Sequence, residues 1–81
     1  MQANVNIMLA DARVVVLEKG EAGYGAFVPD FPVCIAVGES KDETLALIRE
    51  AIEFHIEGLV GDGETIPRPH CEIEHVAVNI A

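Results

Sequence analysis

The sequence predicts an α+β domain of order βββαβ, a single sheet with one helix packed on one face. Three observations carry this expectation. Short runs rich in β-branched residues are cut by glycine and proline; one helix-opening pattern, Ser40-Lys41-Asp42-Glu43, precedes the only long stretch of helical apolar spacing; and residues 71–80 return to alternation. With 81 residues there is room for one small domain, spanning 1–81, in which residues 1–10 read as a possible N-terminal extension; Met8 is a second candidate start, with seven residues upstream of it. Half of the chain is apolar (51%) and 23% is charged, the composition of a chain that collapses.

The first strand is expected over Arg13-Val14-Val15-Val16-Leu17-Glu18-Lys19, followed by a polar, glycine-bearing turn at residues 20–23. Tyr24-Gly25-Ala26-Phe27-Val28 reads as the return strand of a hairpin, stopped by Pro29 and Pro32, because proline cannot donate to a strand ladder. A third short strand is expected at Cys34-Ile35-Ala36-Val37, closed by Gly38. In the capping box, the Ser40 oxygen should accept from the Glu43 amide while the Glu43 carboxylate reaches back to the Ser40 amide. At about 100° per residue, Leu45, Ile48, Ile52, His55, Ile56 and Leu59 then form the buried stripe of a helix, which ends around Gly58, Gly61 and Gly63. An extended loop, Thr65-Ile66-Pro67-Arg68-Pro69-His70, leads to a fourth strand in Cys71–Ile80, where Val76, Val78 and Ile80 alternate. The crossover through the helix should be right-handed. One helix covers one face of such a sheet, so the second apolar face predicts self-association as a dimer or tetramer.

Fourteen acids against five bases give a net charge of −9, which disfavours direct binding to nucleic acid and favours a basic partner. Residues 39–64 hold eight of the acids against Lys41 and Arg49, so most of the charge lies on the helix and the loop after it. Glu43, Glu50, Glu53 and Glu57 fall on one side of the helix as a carboxylate ridge, with Leu47 and Phe54 seven residues apart as a second candidate seam. The opening stretch has no basic residue before a run of only four apolar ones, which predicts neither a signal peptide nor a membrane span, and the two cysteines read as reduced thiols of a cytoplasmic protein.

Catalytic chemistry finds little support. There is no glycine-rich phosphate loop and no nucleophile elbow, and Ser40, the only serine, is used by the cap. No zinc spacing is present: His70-Cys71 and His75 are the only local cluster and would need Cys34 or His55 from elsewhere. No metal, no cofactor and no catalytic residue are therefore expected. Asp30 is the one acid placed by local geometry, between Pro29 and Phe31 in a rigid turn.

The run Gly23–Ser40, with Val28-Pro29-Asp30-Phe31-Pro32-Val33-Cys34 at its centre, resembles the HicB-like antitoxin family, which writes a strand, a Pro-Asp-Leu-Pro-Gly-Cys turn, a short strand and a helix. Ile66-Pro67-Arg68-Pro69 resembles that family's second motif, a loop before the last strand. The likeness spans residues 12–80, with Val33 where the family usually has glycine and Thr44 where alanine is common. It implies a degenerate RNase H-like sheet and a binding module that covers a small basic HicA-type mRNA interferase. The resemblance implies the short form of the family, with no DNA-binding module expected in residues 1–81. Asp30, Phe31, Glu43, Leu47, Glu50, Glu53, Phe54 and Glu57 are the residues expected to meet such a partner. Two other readings stand beside it: an oligomeric HicB-like scaffold with no toxin, and a weak metal-dependent nuclease built on Asp30.

Overall fold

The computed structural model describes residues 12–80 and has the α+β arrangement expected: strands β1 (Val16–Lys19), β2 (Tyr24–Val28) and β3 (Phe31–Gly38), then helix α1 (Lys41–Gly61). The expected extension at residues 1–10 lies outside the described residues. The strands form one antiparallel sheet in the order β1-β2-β3, with Leu17 opposite Ala26 and Ala26 opposite Ala36.

Strand alternation sets the two faces of this sheet. Ala26, Val28, Phe31, Cys34 and Ala36 point inward and are buried, and α1 closes over them with Ile48 as its most deeply buried apolar side chain. Val15, Leu17, Ala51, Ile52, Ile56, Leu59 and Ile66 pack around that centre. The Cys34 thiol donates to the Ala51 carbonyl at 3.7 Å, tying β3 to the middle of the helix. The opposite face is bare: Phe27 and Ile35 sit side by side on it, with Val37 next along, all exposed.

Local chemistry accounts for both ends of α1. Ser40 Oγ accepts from the Glu43 amide at 3.1 Å, as the capping pattern requires. The return half of the box is corrected: Glu43 Oε1 accepts from the Glu39 amide, one residue earlier than expected, at 2.7 Å. At the far end the Gly63 and Glu64 amides donate to the Val60 and Leu59 carbonyls with Gly63 at φ 74°, a Schellman closure that explains why glycine stands there.

Three further expectations change. Leu45 does not join the buried stripe; Thr44 does, because the first turn lies against Gly38 and only a short side chain fits, with its hydroxyl bonded to the Ser40 carbonyl at 2.8 Å. Pro32 does not delay the third strand, which begins at Phe31: β3 is an edge strand, where a missing N–H costs nothing, and a register irregularity at Phe27/Val28 absorbs the turn. Val33 is ordinary strand; no non-glycine residue among those described has positive φ.

The fourth strand is also corrected. Cys71–Ile80 makes no strand in this chain; residues 72–80 are exposed, Ile80 to 90%. Alternation dictates which side chains share a face but not which edge the backbone joins, and within one chain this segment joins none.

Candidate functional site

Two places gather the residues singled out in the sequence: the turn at Asp30 and the outer surface of α1.

Pro29-Asp30 forms the tight connection from β2 to β3, and this carboxylate is buried, with the residue only 7% exposed. Three distant stretches converge on it. Arg13, from the segment before β1, places Nη1 3.3 Å from Oδ2, with both side chains almost wholly buried. His70 Nδ1 lies 2.9 Å from Oδ1, and the His70 amide donates to the same oxygen at 3.4 Å. The Cys71 thiol also bonds the carboxylate. The guanidinium of Arg13 then stacks 4.6 Å from the centre of the Phe31 ring and donates through Nη2 to the Pro67 carbonyl. Phe31 in turn meets His55 edge-to-face, with ring centres 5.2 Å apart.

Burial pushes the Asp30 carboxyl up, but hydrogen bonds from Cys71, the His70 amide and Arg13, together with the His70 charge, outweigh it and hold the group below its ordinary value. Burial, the Asp30 hydrogen bond and the Asp30 charge push the Cys71 thiol up. Asp30 is thus an ionised anchor that clamps the 67–71 loop and the start of β1 onto the turn. Arg13, His70 and Cys71 were not predicted as its partners, since no local spacing links positions 17 and 40 residues away.

Asp30, His70 and Cys71 also bring three metal-ligating atoms within 4.8 Å of one another, a cluster different from the one weighed in the sequence. One carboxylate oxygen belongs to Arg13, and Cys71 and His70 serve the other side as hydrogen-bond donors. A cation would have to displace those bonds.

The second place is the helix surface. Glu50, Glu53 and Glu57 are exposed and, with Ala51 and the 78% exposed Phe54, line one shallow depression, while Phe54 also borders a second one with Val33 and Ile35 of β3. Glu43 is held at the other end of α1 by its cap, and Leu47 lies exposed between. Asp30 and Phe31 stand apart from this surface, buried beneath the turn. Among the described residues no helix is long and apolar enough to cross a membrane.

Residues 13–80 match the family model described as the HicB_like antitoxin of bacterial toxin-antitoxin systems. A 14.9 kDa uncharacterised protein from the rep-hol intergenic region of Haemophilus phage HP1 is 41% identical over 54 residues, 67% of this chain and 41% of that protein. A UPF0150 protein of Helicobacter pylori is 47% identical over 58% of this chain and 65% of its own length. A third relative, UPF0150 protein Ta0767 of Thermoplasma acidophilum, is 42% identical over 72% of this chain and 86% of its own. The chain thus spans well under half of the phage protein and just under two thirds of the Helicobacter one. The match runs from Arg13, which clamps Asp30, through the Pro29-Asp30 turn and the cap of α1 to the loop that returns His70, and on this extent the chain belongs to the HicB-like antitoxin family.

Proposed function

We propose that this chain is the antitoxin-type module of a toxin-antitoxin pair and neutralises a small basic HicA-type mRNA interferase by covering it. The observation that carries this reading is Phe54, an aromatic side chain standing 78% exposed beside Glu50, Glu53 and Glu57. An exposed aromatic flanked by carboxylates is the pattern of an interface anchor for a cationic partner: the charges steer the encounter, and the ring is buried at its centre. Leu47 and Glu43 extend the contact toward the start of the helix. Asp30 and Phe31 contribute from below, by fixing the turn against which α1 packs. The module works by binding and not by catalysis, with no cofactor, no metal and no direct contact with nucleic acid or membrane, inside the cytoplasm.

The exposed Phe27, Ile35 and Val37 favour a second element of this reading, self-association through the bare sheet face into a dimer or tetramer. Titrating a purified HicA-type interferase with the chain tests the function. RNA cleavage should fall to zero at a fixed stoichiometry, and Phe54→Ala should raise the concentration needed about 30-fold, as loss of a central aromatic anchor does. Cleavage unaffected by excess chain leaves the oligomeric scaffold as the better reading.

A further inference from the structure

The segment 72–80 has the alternation of a strand but joins no sheet among the described residues. It carries Ile73, Val76, Val78 and Ile80, all exposed, and among the described residues its backbone joins no backbone hydrogen bond. The sheet in turn has an edge without a strand among the described residues, where β1 pairs only with β2. Unmet strand and unmet edge on the same molecule are complementary, and two copies related by a twofold axis satisfy both at once and close the assembly. We infer that two copies exchange their C-terminal segments, residues 72–80 of each adding antiparallel to the β1 edge of the other.

The direction follows from where the segment is rooted. His70 and Cys71 are held at Asp30, beside the Val28–Phe31 turn, and this is the Arg13 end of β1 because Val16 lies opposite Phe27. A segment folding back along its own β1 would run parallel to it, setting Glu72 and Glu74 against the apolar start of the strand and carrying Ile80 toward Lys19. Arriving antiparallel from a second copy, the same segment sets Glu74 by Lys19, Val76 by Leu17 and Val78 by Val15. Charge then meets opposite charge, and the apolar side chains continue the face on which Val15 and Leu17 already border the core. Net charge is compatible, since β1 is neutral and its Lys19 meets Glu74 of the segment, which carries two acids, while eight of the fourteen acids lie in residues 39–64.

This deepens the self-association proposed above and fails separately from it. Light scattering on the full chain should show a dimer, and Val78→Pro should weaken dimerisation at least tenfold. The proline removes a donor the paired strand needs, while residue 78 touches no core in the single chain, so the melting of the dissociated chain is the control for folding. In a Cys34→Ser/Cys71→Ser background, Val16→Cys mixed with Ala77→Cys should give a disulfide between chains. A dimer that survives Val78→Pro but is dissolved by Val37→Asp overturns strand exchange and keeps the sheet-face contact. A monomeric wild type overturns both, and a 16–77 disulfide formed only within a doubly substituted chain overturns the exchange.

Discussion

When Asp30 takes up a proton, its ion pair with Arg13 is lost in a site where both side chains are almost wholly buried. The carboxyl is held below its ordinary 3.8 in the folded chain, so the stability it contributes is present above that value and is lost as pH falls through the lower folded one. Asp30→Asn should therefore lower Tm at neutral pH, and its Tm should fall less steeply than the wild type's from about pH 4 downward. Parallel acid profiles for the two chains would show that the clamp carries no stability. A second residue-scale expectation concerns Gly38. A Cβ there would lie 2.5 Å from Thr44 Oγ1 and 3.1 Å from the Thr44 amide, at the point where β3 passes into α1. Neither atom can retreat, because the hydroxyl and the amide of Thr44 both bond the Ser40 carbonyl. Gly38→Ala should cost about 1–3 kcal/mol in chemical denaturation, the usual penalty of overpacking. An unchanged midpoint would mean that the first turn of the helix is looser than its bonds imply.

At the scale of elements, what was legible in the sequence was what local chemistry decides. Ser40 and Gly63 mark the ends of α1 because a cap and a positive-φ closure are written within a few residues. The hairpin was legible for the same reason, with glycine and proline punctuating β-branched runs. The centre of the buried helical stripe was displaced, since a projection treats every apolar residue alike, whereas the sheet offers different room along its length. At the Gly38 end the room fits Thr44 and leaves Leu45 at the edge; midway it fits Ile48. Ile48→Ala should thus destabilise by about 2–5 kcal/mol through the cavity it leaves, and Leu45→Ala by clearly less. Equal losses would put the two side chains at equal depth and contradict the packing. The Asp30 clamp was illegible for the opposite reason: its partners come from 17 and 40 residues away, and only the finished fold brings them together. The last strand was misread, because the alternation of Val76, Val78 and Ile80 is written in the chain whereas the edge a strand joins is not, and among the described residues this segment joins none.

Over the whole molecule, charge concentrates on α1, where it is interleaved with exposed Leu47, Phe54 and Val60. The helix and the loop after it carry most of the −9, the outer sheet face carries Phe27, Ile35 and Val37, β1 is neutral with Glu18 beside Lys19, and the 72–80 segment holds Glu72 and Glu74. The two surfaces adjoin, since Val33 and Ile35 of β3 and Phe54 of α1 line one depression, so a basic partner on α1 and a second copy on the sheet face, as proposed, would meet at a shared border. The two ingredients of the helix surface should separate in kinetics. Exposed carboxylates act at long range and are screened by salt, so they govern association; an aromatic ring acts only in contact, so it governs dissociation. Against a HicA-type interferase, reversing Glu50, Glu53 and Glu57 to lysine should slow association on the order of tenfold and flatten its salt dependence, leaving stability within tenths of a kcal/mol per site. Phe54→Ala should instead speed dissociation and leave the salt slope unaltered. If both variants bind with wild-type rates, the partner sits on another face, and the sheet surface around Ile35 and Val37 becomes the one to mutate next.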